Sequence, residues 1–309
     1  MRYNSLNNYL RNKFGKKVYK ISIDGGFTCP NRDGKISTGG CIFCSAKGSG
    51  DFATSKSLSI TQQIEQGKER VRSKTKDNSF IAYFQAFTNT YAPIDVLESK
   101  FTEAINHKDI VALSVATRPD CVDEEVLSLL EKLNKIKPVW VELGLQTIKE
   151  SSVHYIRRGY ENSVYVDTAT KLRNIGIEVI THIILGLPNE SKLDMLRSVD
   201  FACKYSDGIK LQLLHILKGT DLLKDYEDSK FNALTMEQYI DILCDAVSII
   251  PKNVVIHRLT GDGDKKILVA PLWSGNKKVV LNTINKTFEE RNIIQGSKTL
   301  QDYINSKEQ

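Results

Sequence analysis

The chain has 309 residues, 41% apolar and 26% charged, the composition of a soluble globular protein with a sizeable core. No stretch of about 18 apolar residues occurs, so no membrane-spanning helix is expected. With 43 Lys and Arg against 37 Asp and Glu the formal charge is +6, an excess that permits a polyanionic partner without requiring one.

The first twenty residues contain Arg2, Arg11, Lys13, Lys16, Lys17 and Lys20 and no acid. They lack the apolar region of a secretory signal, so a cytoplasmic protein is expected. Such a basic arm suits a polyanion, of which nucleic acid is the commonest in that compartment; a solvated basic helix is the other reading. Six short apolar runs follow: "KVYKISID", "FIAYFQAF", "IVALSVAT", "VWVELGLQ", "IEVITHIILG" and "GIKLQLLHI". Helical spacing fills most of the intervals, as in "IDVLESKFTEAIN", "EEVLSLLEKLNKI", "VYVDTATKLRNIG" and "KLDMLRSVDFACKY". Strands alternating with helices predict βαβ units and a parallel sheet, either a partial (β/α) barrel or a doubly wound sheet. In both, functional groups gather at the carboxyl ends of the strands. After the helix predicted in "MEQYIDILCDAVSII", residues 251–309 read as a C-terminal α/β extension packed on a core of residues 1–250.

Directly after the first strand comes "CPNRDGKISTGGCIFC", with Cys29, Cys41 and Cys44 on one glycine-rich loop. In a reducing compartment clustered thiols point to metal or catalysis before disulfides. A structural zinc site takes four protein ligands, and this loop supplies three. Three cysteines suit a [4Fe–4S] cluster with one iron left open, while zinc and plain thiols stay open as alternatives. Cys203 and Cys244 lie among apolar residues in helical patterns and read as core. "GDGD" at 261–264 lacks the ligand spacing of a calcium loop and reads as a turn.

Strand parity sorts the other candidates, because residues two apart share a face. Glu142, Gly144 and Gln146 share one face of "VELGLQ", and Val141, Leu143 and Leu145 the other; the polar set is expected in the lumen. Tyr83 goes with Gln85, Ser114 with Ala112 and Ala116, and Lys210 with Gln212, whereas His215 falls on the opposite parity and reads as structural. Arg118 and Cys121 leave the third strand at its carboxyl end. Arg118 is expected to meet a substrate carboxylate or phosphate or to pair with Asp120 or Asp123, and Cys121 to donate hydrogen, to act as a covalent partner or to be a plain buried thiol.

The motifs in order, from "ISIDGGFTCPNRDG" through "FQAFTNTYAP", "SVATRPDCV", "VELGLQT", "RRGY" and "THIILGLPNE" to "HRLTGDGDKKILVAPLWS", resemble a radical S-adenosylmethionine (SAM) enzyme of the YtqA/YhcC-type family. That family is related to the Elongator catalytic subunit and to oxygen-independent coproporphyrinogen dehydrogenases. The usual superfamily loop is Cys-x3-Cys-x2-Cys; the longer first gap here is typical of this subgroup. The resemblance implies a partial (β/α)6 barrel in which Cys29, Cys41 and Cys44 hold three irons and SAM chelates the fourth. Reductive cleavage of SAM then gives a 5′-deoxyadenosyl radical that abstracts hydrogen from the substrate. It also implies a one-electron donor such as flavodoxin or ferredoxin. Phe43 resembles the aromatic residue near the adenine, and Gln146 and Arg158 match SAM contacts. His182 stands where the coproporphyrinogen-type enzymes have an aspartate. Gln85, Thr88 and Asn89 occupy the place of the SAM-amine motif without its consecutive glycines, and Ser114 and Glu142 join the pocket by parity. The implied substrate is tRNA, with maturation of the wobble-uridine side chain from 5-carboxymethylaminomethyl- to 5-aminomethyl-(2-thio)uridine. The acetyltransferase domain of the Elongator subunit is missing, so acetyl-CoA chemistry is not expected.

Overall fold

The computed structural model describes residues 2–48, 50, 53–74, 77–261 and 263–308. In chain order the elements are α1 (Leu6–Phe14), β1 (Tyr19–Ile23), α2 (Ile60–Val71), β2 (Phe80–Phe84), α3 (Ile94–Asn106), β3 (Ile110–Thr117), α4 (Glu124–Asn134), β4 (Val139–Gln146), α5 (Glu150–Tyr155) and α6 (Asn162–Asn174). Then come β5 (Glu178–Leu185), α7 (Lys192–Tyr205), β6 (Gly208–Leu213), β7 (Ile216–Leu217), α8 (Asp221–Glu227), α9 (Met236–Ile249), β8 (Val255–Arg258), β9 (Leu268–Ala270), α10 (Lys277–Glu290) and α11 (Leu300–Glu308).

β1 to β6 pair in sequence order, all parallel, and curl into a partial barrel. The predicted runs "IDVLESKFTEAIN" and "KLDMLRSVDFACKY" coincide with α3 and α7. The segment after residue 250 does more than cover the core: its β8 joins the sheet beside β6 as a seventh parallel strand. Behind it α10 packs on α9 and α11 on α7, while β7 and β9 form a small antiparallel pair. α2 escapes notice in the sequence because its apolar stripe is thin. It starts at a Ser59–Gln62 capping box and lies close on β1 at Gly67, where a Cβ would come within 2.2 Å of Ile21.

Alternation along the strands builds two cores. The outward faces, including Val141, Leu143 and Leu145, pack on the helices and are fully buried. Inside, Ile81, Ala112, Trp140 and Ile180 form an apolar layer that Leu10 of α1 closes from below. α1 is therefore a plug at the amino-terminal mouth of the barrel, held there by the Lys13–Glu178 ion pair at the start of β5. This relocates the basic arm. Arg2 donates to Asn292 and Lys20 points into the lumen, so the arm's charge lies at the opposite mouth from the cysteine loop.

Candidate active site

Above the apolar layer opens one cavity, and Cys29, Cys41 and Cys44 all line it together with Phe43. The loop is folded around its own polar groups. Asn31 donates to the Cys41 sulfur at 3.5 Å and to the Arg157 carbonyl at 2.7 Å, and Arg32 donates to the carbonyls of Cys44 and Ser45 at 3.1 and 2.6 Å. Burial, with Cys44 nearby, pushes the Cys41 thiol up to about 12, so its proton leaves on metallation. Ligands of a single zinc stand about 3.8 Å apart, given Zn–S near 2.3 Å. The three sulfurs do not all fall within 4.8 Å of one another; among the described residues only Glu65, His107 and Asp109 do. Three thiols are one ligand short of a structural zinc site and suit a cluster with one iron left open; Cys203 and Cys244 are buried elsewhere in the core.

Below the thiols the lumen is charged. Glu142, on β4, is fully buried and accepts from Lys20 at 2.5 Å, Ser114 at 2.8 Å, His182 Nε2 at 2.8 Å, and Lys210. Gln212 bonds the other ring nitrogen of His182 at 3.1 Å, and Lys210 donates to Tyr83 at 3.2 Å. Burial alone raises the Glu142 carboxyl, but Lys20, Lys210 and the His182 bond outweigh it and hold it well below the usual range. Burial, and then Lys210, lowers His182 to about 4 in spite of Glu142. Lys210 comes down to about 7, chiefly through burial, with Lys20 and Arg258 acting against the pull of Glu142.

These directions set an acid sensitivity. Between about pH 6.5 and 4 the unfolded chain binds a proton at His182 that the folded chain excludes. The contribution is intact above about pH 6.5 and is lost as pH falls towards 4; Glu142 adds to the loss in more acidic solution. The urea midpoint is expected to drop from pH 7 to pH 5, and His182→Asn to flatten that drop. An equal slope in both proteins contradicts this.

The other expected site residues divide. Gln85, Thr88, Gln146, Arg118, Arg158 and His182 line the cavity. Gln146 ends β4 in a left-handed conformation (φ 68°) and folds back over Gly144, where a Cβ would lie 2.7 Å from its amide. Arg158 is placed at the cavity but spends its donors internally. Its guanidinium bonds the carbonyls of Leu145, Thr147 and Tyr160 and the Asn162 side chain, so it clamps the turn after β4. Arg118 takes the salt-bridge alternative, with two parallel bonds to Asp120 at 2.9 and 2.7 Å, while stacking on Tyr160. Three residues lie off the cavity wall. Asn89 ties its loop to the Ala116 carbonyl at 2.8 Å, Ser114 sits beneath as a donor to Glu142, and Cys121 lines a separate depression with Lys35, Tyr91 and Asp123. Burial, reinforced by Asp120, pushes the Cys121 thiol up to about 12, the opposite of an activated thiolate. His215 packs its ring against Gly261 and Gly263, which explains those two glycines; Asp262 lies outside the described residues.

The sequence matches the radical SAM superfamily over residues 31–202 and the Radical_SAM C-terminal domain over 206–290. It is 47% identical over 297 residues to the uncharacterized protein YtqA of Bacillus subtilis, covering 96% of this chain and 92% of that one. The chain belongs to the radical SAM superfamily and, within it, to the YtqA/YhcC-type family. It is also 27% identical over 184 residues to the tRNA uridine(34) acetyltransferase of Methanocaldococcus jannaschii, across 57% of this chain and 33% of that protein. Among solved structures, Elp3 of Methanocaldococcus infernus shares the fold at a TM-score of 0.65 and 18% identity, over 90% of this chain and 64% of that one. This radical SAM protein is therefore an iron–sulfur enzyme using a [4Fe–4S] cluster and SAM. Among the described residues no helix is long and apolar enough to cross a membrane.

Parity placed Tyr83, Lys210 and Gln212 in the lumen. Sequence reading missed Arg258, Arg32, Tyr160 and the inward turn of Lys20. For Lys20 the signal was there: in "YKISI" it shares a face with Ser22, whose hydroxyl donates to Gln85 at 3.0 Å.

Proposed function

We propose that this enzyme matures the side chain of the wobble uridine in cytoplasmic tRNA, converting 5-carboxymethylaminomethyl-(2-thio)uridine into the 5-aminomethyl form. The observation that carries the reading is the similarity of the barrel to a tRNA uridine(34) acetyltransferase. The cavity supports it by its cation-rich lining, which suits a carboxylated substrate. When bound, the cluster and SAM supply a 5′-deoxyadenosyl radical, with the electron coming from a flavodoxin- or ferredoxin-type donor. Abstraction falls on the methylene between amine and carboxylate. Loss of one further electron, to the same donor couple that supplied the first, and of the amine proton would give the imine, whose hydrolysis leaves the aminomethyl group and a two-carbon aldehyde acid. The chain's own part is to hold the reactants. Phe43 and Ile184 offer apolar walls beside the thiols, Gln146 presents its amide over Gly144, and Gln212, held by the ring of neutral His182, faces the cavity from the floor.

A second reading, a radical SAM enzyme acting on a small metabolite or a protein, is favoured by one observation: the basic segment lies at the far mouth of the barrel. A mass-spectrometric nucleoside profile of tRNA separates the two. A strain lacking the gene is expected to lose 5-aminomethyl- and 5-methylaminomethyluridines and to accumulate the carboxymethylaminomethyl precursor. An unchanged profile moves the substrate to the second reading.

A further inference from the structure

A second basic surface lies at the mouth of the barrel that carries the thiols. Residues 265–288 hold Lys265, Lys266, Lys277, Lys278 and Lys286 and no acid. β8 runs parallel to β6, so the chain leaves it at the carboxyl-end mouth, where the cysteine loop also lies. From there Gly261 and Gly263 pack on His215, and β9 pairs with β7. This ribbon is seated against the site: Ile216 and Ala270 share one apolar cluster with Ile42 and Ile184, and Phe43 packs on it. Register then gathers the charges. The Lys218 N–H donates to the Ile267 carbonyl at 2.8 Å, which sets Lys218 beside the Lys265–Lys266 pair. Lys265, Lys266 and Lys277 line one depression, with Lys278 next in the chain. Past Lys218 the N–H of Leu222 donates to the Ile42 carbonyl at 3.1 Å, so this edge adjoins the cysteine loop. Elsewhere surface lysines stand against acids, as Lys171 does with Glu124 and Asp167 and Lys230 with Asp225 and Asp228. Lys218, Lys265, Lys266 and Lys278 are exposed, and none is ion-paired to a described acid. Asp264, the described acid of the depression, accepts from the N–H of Lys266 at 3.0 Å. Lys278 stands in the first turn of α10, where the helix dipole favours acids, so its charge adds nothing to the helix. The N-terminal arm, by contrast, gives Lys13 to Glu178 and Lys20 to Glu142.

We propose that this surface, Lys218, Lys265, Lys266 and Lys278 beside the cavity mouth, binds the phosphate backbone of the tRNA whose wobble uridine enters the cavity. The choice of RNA rests on the proposed function. A nucleoside modified inside a barrel must leave its stack, while the phosphates on either side of it stay at the rim. Contacts to those phosphates position the nucleic acid without reading its sequence, a task that suits lysines, which are compact charges on flexible stems. Leu272, 73% exposed in the turn between the two lysine pairs of the chain, offers apolar contact to an unstacked base. With this surface at the near mouth, the far-mouth position of the N-terminal arm no longer argues against RNA.

Bulk tRNA from the strain lacking the gene is the probe. The reconstituted wild type is expected to bind it with an affinity that falls steeply as salt rises. The variant Lys218→Gln/Lys265→Gln/Lys266→Gln/Lys278→Gln is expected to bind about a hundredfold more weakly at about 0.1 M salt, and to lower the slope of log affinity on log salt by about 3. Arg11→Gln/Lys16→Gln/Lys17→Gln, in the N-terminal arm, is expected to stay within about twofold of the wild type. Iron and sulfide content reports the fold of each. Lysine acetylation of the wild type needs no variant, and decides if the quadruple variant does not fold: tRNA is expected to protect Lys218, Lys265, Lys266 and Lys278 and to leave Lys16 and Lys17 reactive. No binding by the wild type at about 0.1 M salt, no protection of these four lysines, or a larger loss in the arm variant than in the surface variant overturns the proposal. So does an unchanged tRNA affinity with slower reduction of the cluster by flavodoxin, which would assign the surface to the electron donor. A nucleoside profile altered by the deletion, with tRNA affinity unaltered in the surface variant, removes the surface and leaves the wobble-uridine reaction standing. An unchanged profile, with tRNA binding that depends on these lysines, removes the reaction and leaves the surface.

Discussion

Replacing Glu142 with glutamine is expected to lower the stability of the fold by about 3–5 kcal/mol, the usual cost of leaving a buried charge without its partner. The magnitude follows from the arrangement. Glu142 is fully buried and is the shared acceptor of Lys20 and Lys210, with His182 and Ser114 completing its shell. Glutamine keeps the shape but removes the carboxylate that holds Lys210 charged, so Lys210 must either stay an ammonium beside Lys20 or give up its proton, both at a cost, in a lumen closed below by Trp140 and Leu10. The urea midpoint measures this. The double variant Glu142→Gln/Lys210→Met removes one stranded cation and is expected to recover a measurable part of the loss, because neighbouring charges do not act additively. A single-variant cost below about 1 kcal/mol, the range of an exposed pair, would mean that water reaches these lysines freely.

How much of this was legible beforehand depends on whether a feature is local. The alternation in "VELGLQ" needs two neighbours and no tertiary information, and it separated lumen from core correctly at Glu142 and Val141. The six strands and most of the helices could be read from period and length for the same reason. β8 could not. It is four residues long, and its partner β6 ends 42 residues earlier, so nothing in "VVIHRL" announces that Arg258 completes the lumen. Arg158 shows a second limit. An arginine near a cofactor motif reads as a ligand, but beside the left-handed turn at Gln146 the guanidinium of Arg158 donates to the carbonyls of Leu145 and Thr147 and so is tied up in the backbone. Asn89 likewise serves a carbonyl at the end of β3. The seat of the basic arm was missed for a different reason: charge was counted, and the apolar residues between the charges, Leu6, Tyr9 and Leu10, are what seat α1 in the barrel mouth.

The largest functional effects are expected at the cysteine loop, and they separate its three thiols from the fourth one nearby. Cys29→Ala, Cys41→Ala and Cys44→Ala are each expected to lose most of the iron and sulfide of the anaerobically reconstituted wild type, with its visible absorbance, and to bring SAM cleavage down to background. Cys121→Ala is expected to keep all three. The contrast follows from position: the first three sulfurs face one cavity, while Cys121 opens into a separate depression beside Asp120. It also follows from ligand number, since a cluster held by three thiolates has no protein ligand to spare. Stability adds a control, because the loop keeps its Asn31 and Arg32 bonds to backbone carbonyls in every single variant, so the alanine proteins are expected to stay folded. Iron retained in Cys41→Ala would mean that another side chain completes the site. Iron lost in Cys121→Ala would bring that thiol into the site and revive its reading as a participant in turnover. Stoichiometric zinc without sulfide in the wild type would return the loop to the single-ion alternative.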